Sequence, residues 1–399
     1  MKISTLIKRE PFERIFENTL KSYLKDSTGN NYDVIWNSYR KDSKQMWYCN
    51  PHINSIFVKD VRKAVFDSII GEYKSNPLKP WKALFQNVYT YFSTNRYTSK
   101  ILSSYSVSIN PPIENAKNKL IIGGNNKIRI IDIQKKMVHV LLKQGFDKDF
   151  LTKEIHIRNK FPFLSTTKIL EVSRNETWYC EDYVTGIPPN RLDKLKGRQI
   201  MFEAIHQLQR LYSNTKRITS SSMYVSQIGE KASKNLNNID FINVKTKENL
   251  KKIIKFIISF FEDNNEETTL AFSHGDFHPG NILCSEKIFW IMDWEHSGEK
   301  HISYDLIIML LETRMDDGYS KRLINLLDNK VSLNKRNFVS IWPNIDWNDD
   351  NKRKEYVLKF MLEDLLFYLK ENDNAVFFKN SSCLDSRCKE MMKVISYIT

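Results

Sequence analysis

At 399 residues the chain is long enough for two or three domains, and 41% hydrophobic with 27% charged residues excludes a disordered polymer. The net charge of +14 predicts attraction to anions, yet it is spread along the chain and comes with no nucleic-acid motif, so no nucleic acid is expected. No apolar run approaches the length of a membrane span, the N-terminus lacks the apolar stretch of a secretory signal, and five scattered cysteines form no CxxC pair. A cytoplasmic protein with reduced thiols is the expectation, with a basic charge that would suit an anionic partner.

From residue 1 to about 108 the spacing predicts helices near 9–25, 55–73 and 79–93, with aromatic residues such as Trp36, Trp47 and Trp81 assigned to core. Ser103 to Pro112 reads as a connector, because Pro111-Pro112 cannot continue a helix. Residues 1–112 are therefore set apart as a mainly helical extension of unknown role. Three strands follow, Lys119 to Ile122, Lys127 to Ile133 and Met137 to Leu142, separated by the turns Gly123-Gly124-Asn125-Asn126 and Gln134-Lys135-Lys136. Lys143 ends the third strand, and Asp147 to Phe161 reads as a helix with Glu154 near its middle. Strands at Lys168 to Val172 and Trp178 to Tyr183 lead into Val184-Thr185-Gly186-Ile187-Pro188-Pro189. Beyond lie a helix over Arg198 to Asn214, a Ser/Asn/Lys-rich stretch to Asn243 read as a flexible insertion, and a helix from Lys247 to Asn264. Further helices are predicted at 303–314, 319–328, 337–342 and 354–371.

The chemistry concentrates in Ser273-His274-Gly275-Asp276-Phe277-His278-Pro279-Gly280-Asn281-Ile282-Leu283, followed by Ile291-Met292-Asp293-Trp294-Glu295. Protein kinases space an Asp and an Asn in this way, the Asp accepting the proton of the attacked hydroxyl and the Asn holding a metal ion, with a later Asp on the metal. One carboxylate must face the hydroxyl while neutral and charged oxygens reach a magnesium on the phosphates. Asp293 ends the apolar run Ile288 to Met292, which looks like a buried strand that delivers a hard oxygen ligand.

The wording HGDFHPGNIL then IMDWE resembles the aminoglycoside phosphotransferase and choline kinase family of small-molecule kinases. Tyr304-Asp305-Leu306 stands where that family has an Asp bracing the loop, and the resemblance spans about 116–399. It implies an α+β fold of the bilobal protein-kinase-like kind. A small antiparallel-sheet N-lobe would cover 113–186 and a helical C-lobe 187–399, preceded by the helical segment. It implies ATP and Mg²⁺ as cofactors, Asp276 as catalytic base, and Asn281 and Asp293 on the metal. By likeness to the V-A-I-K strand, Lys143 would hold the nucleotide phosphates with Glu154 orienting it, and the main chain near Glu181 to Tyr183 would receive adenine. His274 is implied to be structural.

No G-x-G-x-x-G occurs, which disfavours a protein kinase. The expected activity is phosphorylation of a hydroxyl on a small molecule: a sugar, aminoglycoside, amino alcohol or glycan precursor. Aromatic walls for a choline-like cation are sought at Trp342 and Trp347. The alternative is a kinase-like scaffold or regulatory binding protein that has lost its chemistry.

Overall fold

The computed structural model describes residues 1–37, 45–67, 80–95, 97–264, 266–285, 288–312 and 316–399. Part of the helix expected over 55–73 therefore lies outside the described residues. The chain opens with helices α1 (Ile3–Arg9) and α2 (Phe12–Thr28), then strands β1 (Asp33–Trp36), β2 (Gln45–Asn50) and β3 (Ser55–Val58), helix α3 (Pro80–Thr94) and strand β4 (Tyr105–Asn110). β5 (Lys119–Gly123), β6 (Lys127–Asp132) and β7 (Met137–Leu142) form the expected meander. They are followed by α4 (Asp149–Lys160), β8 (Ile169–Val172) and β9 (Trp178–Asp182).

All of these strands join one nine-stranded antiparallel sheet in the order β1-β4-β2-β3-β5-β6-β7-β9-β8. The first 110 residues are thus more than a helical extension, since they continue the sheet through the pairing of Ile56 with Ile121. The connector expected at Ser103 to Pro112 is largely strand β4. Its alternation of Val107 and Ile109 with Ser106 and Ser108 is the period-two signal of a strand, and the pair of prolines that follows ends it. Trp36 and Trp47 are buried in the core beneath this sheet, whereas Trp81 is exposed on α3.

The second lobe has its own apolar core. It contains α5 (Lys194–Thr215), β10 (Arg217–Ser220), α6 (Ser221–Asn238), α7 (Val244–Phe261) and β11 (Glu267–Ser273). Next come the hairpin β12 (Ile282–Cys284) and β13 (Phe289–Ile291), then β14 (Gly298–His301), α8 (Tyr304–Leu311), α9 (Tyr319–Leu327), α10 (Leu333–Ser340), α11 (Asp350–Asn372) and α12 (Ser382–Ile398). β11 sits between β10 and β14 in a three-stranded sheet, so the chain leaving β11 enters the loop His274–Asn281 from a braced strand.

Side-chain caps mark the helix starts: Asp193 accepts from Lys196 N at 2.9 Å, Asn243 from Thr246 N at 2.8 Å and Asp349 from Lys352 N at 3.0 Å. The insertion expected to be flexible over Thr215 to Asn243 is ordered instead as β10 and α6. Ser220 caps α6 through Met223 N at 3.2 Å, and Tyr224, Val225, Ala232 and Leu236 bury one face, a stripe hidden in a polar composition. The lobes are joined through residues 183–187, where Ile187 and Cys284 exchange backbone hydrogen bonds of 3.0 Å.

Candidate active site

Past the end of β11 the backbone turns sharply at Gly275, whose φ is +83°. A Cβ there would lie 2.0 Å from the carbonyl oxygen of His296, so only glycine fits. We expect Gly275→Ala to cost at least about 2 kcal/mol of stability, from the left-handed backbone and the contact together. A thermal melt of the purified variant checks this, and an unchanged Tm would refute it.

Asp305, in the first turn of α8 and fully buried, holds the same turn. Its carboxylate accepts from His274 N at 2.7 Å, Gly275 N at 2.8 Å and the Tyr212 hydroxyl at 2.9 Å. These bonds satisfy donors that would be costly to bury alone.

His274 links the loop to the segment that carries Asp293. Its Nδ1 accepts from Asp276 N at 3.2 Å, which leaves Nε2 to donate to Met292 O at 2.8 Å. Burial lowers its pKa, consistent with a neutral ring in a structural place. Asp276 is fixed by Asn281, whose Nδ2 donates to both Asp276 O and Asp276 Oδ2 at 2.8 Å. His278 Nε2 stands 3.5 Å from the same carboxylate, while its Nδ1 accepts from Gly280 N at 3.0 Å.

The β12–β13 hairpin carries Asn281 and Asp293 side by side: Ile282 faces Ile291, and Met292 N donates to Asn281 O at 2.8 Å. Asp293 adopts a left-handed conformation, φ 59° and ψ 58°, which turns its carboxylate out of the hairpin. Arg129 hydrogen-bonds that carboxylate and Lys127 Nζ lies 3.5 Å from it. Burial would raise its pKa, but these two cations outweigh burial and hold it below the usual carboxylate range. Asp276, Asn281 and Asp293 therefore share one region.

The expected pairing of Lys143 with Glu154 is not found. Glu154 Oε2 takes Lys127 Nζ at 2.6 Å, and Lys127 also reaches Glu295 Oε2 at 3.1 Å. Burial alone would depress this ammonium, yet the surrounding carboxylates keep its pKa well above the ordinary lysine value. Lys143 instead binds Glu10 Oε1 at 2.6 Å and Asn125 O at 2.8 Å, and burial pulls its pKa down to about 8.

The reason is strand alternation. Lys127 is paired with Leu142, so Lys143, one residue on, points to the opposite face of the sheet, toward α1 and α2 rather than α4. Lys127 and Arg129, two apart on β6, share the cleft face. That interval directly after the Gly123–Asn126 turn was the sequence signal available for both, and neither residue was singled out from sequence.

Glu181 and Tyr183 stand at the end of β9, where the chain passes to the second lobe. The Glu181 side chain is buried against Arg158 at 2.7 Å, and its main chain pairs in β9 with Val138 and Ile169. The amides of Asp182 and Tyr183 are taken by Lys168 O at 3.0 Å and Lys136 O at 2.9 Å. Trp342 and Trp347 are both buried, and Trp342 Nε1 donates to Ile302 O at 2.9 Å, so they are core rather than walls. The cavity beside Asp276, about 680 Å³, is walled instead by Phe367, Tyr368 and Phe377, with Glu312 and Glu371 among its lining and residues of α1 across from them.

The donor set suits a hard cation. Asn281 spends its amide hydrogens on Asp276, which turns its oxygen the other way, and the Asp293 carboxylate already attracts two protein cations. Mg²⁺ ordinarily takes one or two such protein oxygens and fills its shell with water and phosphate. Among the described residues no helix is long and apolar enough to cross a membrane.

Residues 191–372 match the family model for choline/ethanolamine kinase. The structure is similar to choline kinase LicA from Streptococcus pneumoniae, with 13% identity over 72% of this chain and 92% of that one and a TM-score of 0.44. A choline/ethanolamine kinase family protein from Mesorhizobium loti is 16% identical over 79% of this chain and 97% of that one, TM-score 0.45. An ethanolamine kinase from Plasmodium vivax is 14% identical over 84% and 93%, TM-score 0.45. No curated protein matches the chain. The matched residues 191–372 contain both the loop with Asp276 and Asn281 and the segment with Asp293.

Proposed function

We propose that this protein is an ATP- and Mg²⁺-dependent O-phosphotransferase whose acceptor is a small alcohol bearing an amine, with Asp276 as the base. The observation that carries the reading is the fixing of Asp276 by Asn281, next to Asp293, on the wall of a cavity of about 680 Å³. Asn281 and Asp293 would hold the metal, which when bound would neutralise phosphate charge. Lys127 and Arg129 would add two fixed cations on the same side. Asp276 would orient the acceptor hydroxyl and take its proton as the oxygen attacks. Such a site works by positioning and charge compensation rather than covalent chemistry.

The aromatic and acidic residues lining the same cavity support an amine-bearing acceptor. The cavity lining brings Phe367, Tyr368, Phe377, Glu312 and Glu371 together with Lys8 and Arg9, and the wall already holds cations in this way: Arg387 lies 4.0 Å from the Tyr368 ring centroid and Lys335 pairs with Glu312 at 2.9 Å. Arg9 already uses this property, its guanidinium lying 4.2 Å from the Phe377 ring centroid. The test is a panel of alcohols of matched size, with and without an amine, followed by mass detection of the added phosphate. Faster transfer to the amines is expected. Preference for neutral sugars would remove the amine from the reading, and no transfer to any member would favour the scaffold alternative.

A further inference from the structure

The helix α1 lies outside the family-matched residues, yet it reaches the turn Gly123–Asn126 from above. Ile3 and Leu6 are fully buried, and a Cβ placed on Gly123 would sit 2.8 Å from Ile3 Cγ1 and 3.1 Å from Leu6 Cδ1, so helix and turn backbone are in direct contact. Asn54 stitches the two together, accepting from Ile3 N at 3.0 Å and donating to Gly123 O at 2.7 Å.

At the other end of α1, Arg9 hydrogen-bonds the Asn125 side chain and donates to Asn125 O at 2.9 Å. The same carbonyl accepts from Lys143, and Glu10 joins the two cations, 2.6 Å from each. The far side of Arg9 is held by the second lobe. Phe378 N donates to Arg9 O at 2.8 Å, and Phe377 lies beneath the guanidinium. Thr5, Lys8 and Arg9 line the cavity that also contains Asp276.

We propose that α1 is a strap of the active site: through Arg9 it fixes the turn Gly123–Asn126, which leads into the strand carrying Lys127 and Arg129 and which we take to be the turn over the nucleotide phosphates, and ties it to the C-terminal lobe across the cleft. This rests on the phosphotransferase reading above and adds that Arg9 is a positioning residue for nucleotide. Phosphate-covering turns rich in glycine are ordinarily loose. Here two cations and an Asn grip the turn, so its order is supplied by a distant part of the chain.

The test is calorimetric titration of Mg·ATP into the full chain, comparing the native protein with Arg9→Gln, Arg9→Lys and, as an exposed control on α2, Arg14→Gln. Losing a charge-assisted grip predicts about tenfold weaker Mg·ATP binding for Arg9→Gln. Partial recovery is expected in Arg9→Lys, and no change in Arg14→Gln. Hydrogen exchange on the native chain gives a second readout that needs no variant, with Mg·ATP slowing exchange at residues 3–10 together with 123–126. Native-like Mg·ATP affinity in a folded Arg9→Gln, or protection of 123–126 without 3–10, overturns the strap while leaving the kinase reading intact. If the native chain itself binds no Mg·ATP, the kinase reading falls and takes the strap with it.

Discussion

Asp276→Asn should lower turnover by about 10²–10⁴-fold, the usual contribution of a positioned general base. The fold should survive, because an amide oxygen at the same place can still accept from Asn281, and Asp305 rather than Asp276 braces the backbone of the loop. Mg·ATP affinity should change little if, as proposed, Asp276 serves the acceptor and Asn281 with Asp293 the metal. The measurement is steady-state phosphate transfer to the best alcohol of the panel, beside a thermal melt and a nucleotide titration. Turnover equal to that of the native chain would end the assignment of Asp276 as base.

Asp293→Asn should act differently. Here we expect the advantage that Mg²⁺ gives to ATP binding to disappear and turnover to fall by about 10²–10³-fold, the scale for removing one preorganised charge at a reacting phosphate. Without metal the variant should bind ATP at least as well as the native chain, because Arg129 and Lys127 lose an anion that competes for them. Stability should drop only modestly, as Lys127 keeps Glu154 and Glu295. Titrations with and without Mg²⁺ separate these effects. A variant that retains the full metal dependence would move the metal elsewhere.

The centre of the site was legible because its signal is local. Asp276, Asn281 and Asp293 lie within one loop and one short hairpin, so spacing along the chain translates directly into closeness in space. The bracing Asp305 was legible through the family wording alone, and the structure supplies its reason in two backbone amides. The cations were harder. A lysine at the end of a strand looks the same whichever face it takes, and choosing Lys143 over Lys127 required the register of β6 on β7, which no local pattern fixes.

The first hundred residues misled for a related reason. Aromatic and apolar residues at mixed spacings satisfied a helical template at Ser55 to Val58, where four fully interior positions in β3 carry no period at all. In β4 the alternation was present but was overshadowed by the neighbouring prolines. The aromatic lining of the cavity was missed because Trp342 and Trp347 are prominent in a sequence, while Phe367, Tyr368 and Phe377 gather only when α11 and the segment after it come back to the loop.

The continuity of the large sheet has a practical side. β5 lies at its middle, with the strands of the first 110 residues on one flank and β6, β7, β9 and β8 on the other. A shortened protein starting at residue 113 would uncover the flank of β5 where Ile121 meets Ile56 and strip the apolar cover from Leu120 and Ile122. A bare, sticky border of that kind invites self-association. The rest of the protein is thus expected to need the first 110 residues as its cover against such association.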